Sequence, residues 1–225
     1  MAKAESWLLE PAAGEEPAAL PPSPRPVVAV RGLSAGCGCS TVARALAAVL
    51  AVRDPSGAAA LGGGVEGVRP RLAAPASARL ARELARVGVG TVRASGRICL
   101  LPADLAIEVV ALERPCPVVI DVASGAPPAE GLALADHTVL VTTASDEPAL
   151  AAAVEASLVL AGHHVDVVVN RAEEPDRTLA WGPGSIAIGE SRLAAQVALA
   201  FRGARGPLAE PVGELADRCR ASAPG

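Results

Sequence analysis

The chain almost lacks lysine and aromatic side chains. Lys3 is the only lysine among 20 basic residues, so nearly all positive charge is arginine. A cation that meets a phosphate here must therefore be an arginine or a metal ion. There is no tyrosine and only one phenylalanine, so the core of this 225-residue chain must be built from Ala, Val, Leu and Ile. Such a core suits helices packed on a Val/Ile-rich sheet.

The chain also lacks an excess of positive charge and a long apolar run. Its formal net charge of −4 argues against a generally basic surface that coats nucleic acid, and we find no clear nucleic-acid patch. No stretch of about 18 apolar residues is free of glycine, proline and charge, and the first residues do not resemble a signal peptide. Residues 211–225 are too short and too mixed in charge for an amphipathic anchor. We therefore expect a cytoplasmic protein without a membrane anchor.

Composition divides the chain into one domain and two tails. Residues 1–25 are rich in proline and glutamate and show no sustained hydrophobic period, so we predict a disordered tail. Within it, Trp7-Leu8-Leu9 is either an incidental apolar patch or a short motif that docks a partner. Residues 26–220 are predicted to form a single domain, and residues 221–225 a second disordered tail.

Short apolar runs alternate with helical patterns along the predicted domain. This alternation predicts an α/β fold, in which a mostly parallel sheet has helices on both faces. The predicted strands cover 27–30, 58–61, 97–101, 117–121, 138–142, 165–170 and 186–188. The predicted helices cover 41–52, 76–87, 105–112, 147–161, 191–201 and 211–220. Because ligands bind at the carboxyl ends of parallel strands, we expect the polar residues at these ends to lie on one edge.

Residues 27–50 are typical of a buried strand, a glycine-rich turn and a long alanine-rich helix. Glycines at 32, 36 and 38 supply a tight backbone, and Ser40 and Thr41 stand where a helix would start. Converging backbone N–H groups and the helix dipole make such a turn an anion site. The phosphate-loop pattern GxxxxGK[ST] requires a lysine directly before Ser40, and the residue there is Cys39.

Cys37 and Cys39 form a C-x-C pair on this turn. The positive end of a helix favours a thiolate, so we predict a lowered thiol pKa and consider a thiol switch. The alternative is that two small side chains fill a tight loop. Two thiols with no histidine close in sequence are too few for a structural zinc site.

Several segments carry a resemblance to a known family. Residues 34–41 (SAGCGCST) resemble the loop KGGxGKTT, and residues 121–125 (DVASG) resemble a Walker B segment of the type DSPAG. Further similarities lie at 135–138, 168–171, 188–192 and 207–216. In this order and spacing, residues 27–216 resemble the MinD/ParA group of P-loop ATPases, including relatives of the CpaE/TadZ type.

The resemblance implies a P-loop NTPase-like three-layer sandwich that binds ATP and Mg²⁺. It implies that the loop holds the phosphates, that Ser40 and Asp121 hold Mg²⁺, and that two residues after a later strand frame the adenine. From the residues alone, Ser40 and Thr41 are equally helix N-caps, and the other polar residues are strand ends. The candidate nucleotide-binding residues are Gly36, Cys37, Gly38, Cys39, Ser40, Thr41, Asp121, Asn170 and Arg171.

Three charged positions of the family pattern are lost. Cys39 replaces the loop lysine, Ser34 replaces the extra lysine near the loop start, and the aspartate expected near residues 61–64 is missing. A charge-assisted bond to phosphate contributes roughly 1.5–3 kcal/mol, so binding should weaken about 10–100-fold. Phosphoryl transfer depends more strongly on such cations. Arg44, one turn into the helix, is predicted to point away from the loop mouth.

From this degenerate MinD/ParA-type pattern we expect a protein that binds nucleotide weakly and does not hydrolyse it efficiently. Such a MinD/ParA-like protein would position or scaffold machinery of cell division, partitioning, or pilus or secretion assembly. Its expected partners are proteins of that system, with a homodimer as one option. The alternative is an active ATPase of this class that uses a non-standard set of cations.

Overall fold

The computed structural model describes residues 25–62, 68–69, 71–86, 88, 92–101, 115–122, 132–172 and 180–223. The predicted tail over residues 1–25 lies outside these ranges except for Arg25, and the predicted helix over 105–112 lies outside them entirely. Of the DVASG segment, only Asp121 and Val122 are described. The structural statements below concern the described residues.

Eight strands and five α-helices make up the described part of the chain. The strands are β1 (Val27–Gly32), β2 (Ala58–Gly62), β3 (Arg93–Ser95), β4 (Ile98–Leu101), β5 (Val118–Val122), β6 (His137–Thr143), β7 (His164–Asn170) and β8 (Ile186–Ile188). The helices are α1 (Cys39–Arg53), α2 (Pro75–Arg86), α3 (Pro148–Leu160), α4 (Arg192–Leu199) and α5 (Ala209–Ala221). None of these helices combines the length and the apolar character needed to cross a membrane.

All eight strands join one sheet in the order β3-β4-β2-β5-β1-β6-β7-β8. Every neighbouring pair is parallel except β3 and β4, which are antiparallel. The predicted α/β fold with a mostly parallel sheet is therefore confirmed. Strand β3 is absent from the sequence-based prediction, because a strand of three residues shows no measurable alternation.

The core lies on both faces of this sheet. Helix α1 covers one face, where fully buried residues such as Leu46 and Leu50 pack with Val28 and Val30 of β1. Helices α4 and α5 pack against α1 on the same face. On the other face, Leu80 and other buried residues of α2 pack against β2, β4 and β5. Alanine and valine dominate these contacts, as the scarcity of aromatic residues predicts.

Strand register brings the candidate site residues together at the carboxyl ends of neighbouring strands. Val30 of β1 pairs with Asp121 of β5, so the loop after β1 begins beside this carboxylate. On the other side β1 pairs with β6, and Thr143 at the end of β6 pairs with Asn170 of β7. The carboxyl ends of β1, β5 and β7 therefore lie at the same edge, as parallel pairing requires.

Helix α5 is tied to the sheet by a partly buried ionic contact. Asp166 of β7 accepts a hydrogen bond of 2.8 Å from His137 Nε2 on β6 and another of 2.8 Å from the guanidinium of Arg218 on α5. Burial alone would raise the pKa of Asp166, but the hydrogen bonds from His137 and Arg218 outweigh it and hold the pKa below its ordinary value. The ionised form of Asp166 therefore stabilises the folded chain.

We expect Asp166→Asn to lower the free energy of unfolding by about 1–3 kcal/mol at neutral pH, because it weakens two charge-assisted bonds. Since the folded-state pKa of Asp166 is depressed, its contribution is complete above about pH 4 and is lost as the pH falls through the folded-state pKa. Urea unfolding at several pH values should show the gap between wild type and variant closing in acid.

The matched control is Asp217→Asn. Asp217 pairs with Arg53, but its side chain is 69% exposed. A surface pair of this kind contributes at most about 1 kcal/mol, so the control should unfold nearly as wild type does. Equal effects of the two substitutions, or a gap for Asp166→Asn that does not depend on pH, would contradict the assigned role.

Candidate functional site

The candidate phosphate loop consists of the residues between β1 and α1. Gly38, directly before α1, has a φ of 92°, in the left-handed region that favours glycine. A Cβ on Gly38 would also collide with the side-chain nitrogen of Asn170. At the other end of the loop, a Cβ on Gly32 would lie 2.7 Å from the Cys37 sulfur. The glycines of this turn are therefore required by conformation and by space.

Helix α1 begins at Cys39, two residues earlier than the sequence predicts. Its N-cap is Gly38, and no side chain caps the helix. The alternative interpretation of Ser40 and Thr41 as N-caps is therefore wrong, since both residues lie within the first turn. Among the described residues, neither hydroxyl has a hydrogen-bond partner. Both residues are half-buried.

The Cys39 side chain points into the protein, toward the ends of β1 and β5. Its thiol donates to the carbonyl of Val30 at 3.2 Å and reaches Asp121 Oδ1 at 3.4 Å. Burial raises the pKa of this thiol well above its ordinary value, and the nearby Asp121 carboxylate raises it further. The prediction of a lowered thiol pKa is therefore wrong for Cys39, because desolvation and a neighbouring carboxylate outweigh the helix dipole.

Asp121 stands beside the loop, as the strand register requires. Asp121 is half-buried, and it pairs with Gly62 on the neighbouring strand β2. A Cβ on Gly62 would lie 2.6 Å from the Asp121 Cβ. One of its carboxylate oxygens faces the Cys39 thiol at 3.4 Å. The structure thus brings together the loop and the acid that the resemblance predicts for Mg²⁺, with a neutral thiol between them.

Asn170 and Arg171 follow β7 and lie on the other side of the loop. The Asn170 amide is buried and donates to the carbonyl of Cys37 at 2.8 Å. Its side chain therefore holds the loop itself. Arg171 is exposed and has a φ of 59°, which is uncommon for a residue with a Cβ. This backbone conformation turns the chain at the point where β7 ends.

An open cleft of about 490 Å³ lies against the loop. A second cleft, of about 100 Å³, lies next to it and is lined in part by Gly38, Thr41 and Asn170. Arg171 lines both clefts, and it is the one basic residue among the described residues that line the larger one. The polar side chains of the larger cleft are Ser34, Thr143, Ser145, Arg171 and Glu190.

Asp146 is a polar residue of this edge that the sequence patterns do not single out. Burial alone would raise the pKa of Asp146, but hydrogen bonds from the Thr143 N–H and from the hydroxyls of Ser34, Thr142 and Thr143 hold it below its ordinary value. The Thr143 N–H donates at 2.8 Å. Ser34, at the position of the family's extra lysine, thus lies close to a carboxylate of its own chain. The segment TTASD, which begins at the end of β6, is the sequence signal for this turn.

Arg44 of α1 lines neither cleft beside the loop. Its side chain points away from the loop mouth, which is the predicted direction. Its guanidinium donates to the carbonyl of Leu199 at 2.9 Å and lies 5.3 Å from the centre of the Phe201 ring. Burial lowers the pKa of Arg44, whereas the Asp121 carboxylate raises it. The half-buried Arg44 therefore lies close enough to Asp121 to feel its charge.

The sequence matches no protein-family model and no curated protein. The structure is similar to several solved structures. A ParA family ATPase from Chlorobium tepidum TLS has a TM-score of 0.59 and 17% identity, with 85% of this chain and 98% of that chain covered. The Aquifex aeolicus MinC:MinD cell division protein complex has a TM-score of 0.60 and 15% identity, with 89% and 97% covered. A Cyanothece McdA variant in complex with ATP has a TM-score of 0.53 and 18% identity, with 88% and 97% covered.

These similarities extend over most of this chain and nearly all of each compared chain. The chain therefore has the fold of the ParA and MinD ATPases, which confirms the fold that the sequence resemblance implies. The identities, from 15% to 18%, are too low to carry more than the fold.

The five cysteines are buried and unpaired in the described residues, which yields a test of the thiol-switch hypothesis. We expect all five thiols of the native protein to react slowly with a disulfide reagent at neutral pH, because burial limits the access of the reagent. Mild denaturant should release five fast-reacting thiols.

The control is Ala35→Cys, which places a thiol on an exposed residue of the same loop. The variant should gain one thiol that reacts as fast as a free cysteine. If mass spectrometry of the native wild type finds rapid labelling at Cys37 or Cys39, the thiols are accessible and the switch hypothesis returns.

Proposed function

We propose that this chain is a positioning or scaffold protein with the ParA/MinD fold, that it binds nucleotide weakly, and that it does not hydrolyse ATP. The observation that carries the proposal is the direction of the Cys39 side chain. Its thiol contacts Val30 and Asp121 inside the protein, at the position from which a lysine would reach the phosphates. Position 39 therefore carries no charge that could stabilise a phosphoryl group during its transfer.

Weak binding is supported by the parts of the loop that need no lysine. The N–H groups at the start of α1 and the helix dipole favour an anion, and the hydroxyls of Ser40 and Thr41 have no hydrogen-bond partner among the described residues. We assign the phosphates to residues 36–41 and the base to the side of the loop that carries Asn170 and Arg171. The clefts of about 490 Å³ and 100 Å³ beside the loop leave room for a small ligand.

Mg²⁺ fits these residues less well. It prefers several oxygen ligands in near-octahedral geometry, and Asp121 is the carboxylate that the family pattern offers it here. In this chain the carboxylate of Asp121 faces the Cys39 thiol and lies near the half-buried Arg44. We therefore assign no catalytic step to a metal ion at this site.

The structural similarity to the MinC:MinD cell division protein complex supports a protein partner. We propose that this chain likewise acts through a protein of a positioning or assembly system, in cell division, partitioning, or pilus or secretion assembly. A homodimer is compatible with this role. Formation of a complex does not require hydrolysis, so the loss of the lysine leaves such a function possible.

An active ATPase with another cation is the second candidate. Arg171 favours it, because this exposed arginine lines both clefts beside the loop. Under this alternative, Arg171 would contribute the positive charge that Cys39 cannot.

Nucleotide binding tests the role of position 39. We expect titration calorimetry with ATP and Mg²⁺ to give weak binding for wild type and about 10–100-fold tighter binding for Cys39→Lys, because a charge-assisted bond contributes roughly 1.5–3 kcal/mol. Cys39→Met, which has a long side chain without charge, is the matched control. Equal affinities of the two variants would show that the missing charge does not limit binding.

Phosphate release separates the two candidates. We expect no turnover by wild type above the background of Asp121→Ala. Steady turnover that Asp121→Ala or Arg171→Ala abolishes would contradict the proposal and favour the active ATPase. Thermal unfolding of each variant confirms that it is folded before its activity is compared.

A further inference from the structure

Positive charge is concentrated at one end of the sheet, although the whole chain is acidic. The part of the sequence from residue 68 to residue 101, which contains α2, β3 and β4, includes a single carboxylate, Glu83. Its basic residues are Arg69, Arg71, Arg79, Arg82, Arg86, Arg93 and Arg97. The remainder of the chain therefore carries the excess of acid that makes the net charge −4.

A cleft of about 110 Å³ lies on this side of the molecule, between α1, the start of β4 and the residues after α4. Three arginines line it, and its other lining residues are apolar side chains and a glycine. Val52 at its border is 73% exposed, and Leu72, next to Arg71, is 96% exposed. We call this surface the arginine cleft; its basic residues are Arg71, Arg97 and Arg202.

Backbone carbonyls hold two of the three arginines of the cleft without neutralising them. Arg71 donates to the carbonyl of Phe201 at 3.1 Å, and Arg97 donates to the carbonyl of Ala51 at 2.7 Å. Arg202 is exposed. Among the described residues, none of the three forms an ion pair. The cleft thus offers fixed positive charge around an apolar floor, which suits an acidic segment with an apolar centre.

The sequence of the chain itself contains such a segment. Residues 5–10, Glu-Ser-Trp-Leu-Leu-Glu, place Trp7 and two leucines between two glutamates. Arg25, the first residue that the structure describes, lies near the cleft and binds the side chains of Asp54 at 3.4 Å and Ser56 at 3.1 Å. Arg97 donates to the carbonyl of the same Asp54 at 2.8 Å.

We propose that residues 5–10 dock on the arginine cleft of their own chain, with Glu5 and Glu10 facing the arginines and Trp7 against the apolar floor. Docking would neutralise the cleft and keep other anions from it. This contact is independent of nucleotide, so it stands or falls separately from the function proposed for the phosphate loop.

Chain length favours docking within one molecule. Trp7 precedes Arg25 by 18 residues, which span about 60 Å when fully extended, so residues 5–10 can reach the cleft from Arg25. A tether of this length gives an effective concentration on the order of 1 mM, so a contact with a dissociation constant of about 0.1 mM would be about nine-tenths occupied. Weak complementarity is therefore sufficient.

The fluorescence of Trp7 reports docking in the full-length chain. Trp181 is the other of the two tryptophans, so Trp181→Phe leaves Trp7 as the only one and, without tyrosine, the dominant emitter. At low salt we expect blue-shifted emission and acrylamide quenching about fivefold to tenfold weaker than in high salt, following from the estimated occupancy. At about 1 M salt, where the Debye length is about 3 Å, Trp7 should become exposed.

Substitutions in the same background locate the contact. Arg71→Ala with Arg202→Ala should expose Trp7 at low salt. Arg82→Ala with Arg86→Ala removes the same charge from exposed positions of α2 and should leave Trp7 protected. Glu5→Lys with Glu10→Lys should also expose Trp7, and this pair changes no residue of the cleft.

Three results would overturn the proposal. If acrylamide quenches Trp7 equally at low and high salt, the segment is not docked. If Arg82→Ala with Arg86→Ala exposes Trp7 as much as Arg71→Ala with Arg202→Ala does, net charge and not the cleft holds the segment. Protection that rises with protein concentration would assign the segment to the cleft of a second copy.

Discussion

The contact of the Cys39 thiol with the Val30 carbonyl and the Asp121 carboxylate joins the start of α1 to the ends of β1 and β5. It places a neutral, buried side chain where the phosphate-loop pattern puts a cation. Asn170 holds the opposite side of the loop through the Cys37 carbonyl. The shape of the loop is thus fixed by contacts within the protein, while the charge that phosphate chemistry requires is missing from it.

The molecule carries its positive charge elsewhere. Arg44 lies near Asp121, and the arginines of α2 and β3 lie toward the β3 edge of the sheet, away from β6, β7 and β8. A net charge of −4 conceals this separation, because composition averages over the whole chain. The loop and the arginine cleft are therefore distinct surfaces, one suited to a small anion and the other to an acidic chain segment.

Local sequence patterns predict the fold and place the candidate site residues at the carboxyl ends of the strands. Apolar strands alternating with helices predict a parallel sheet, and strand ends then place Asp121 and Asn170 near the loop. These patterns are insufficient for side-chain direction. The helix dipole suggested an ionisable thiol, but the burial of Cys39 depends on how α1 meets β5, which no local pattern encodes. Strand β3 and Asp146 also depend on contacts between distant segments.

Single-turnover hydrolysis tests the central claim most directly, because it detects one chemical event per molecule. The full-length protein, in excess over radiolabelled ATP and with Mg²⁺ present, is followed for hours alongside Asp121→Ala. We expect the two proteins to release phosphate at the same background rate. Faster release by the wild type would show that the site hydrolyses ATP despite Cys39, and it would contradict the conclusion that the loop has kept its shape without its chemistry.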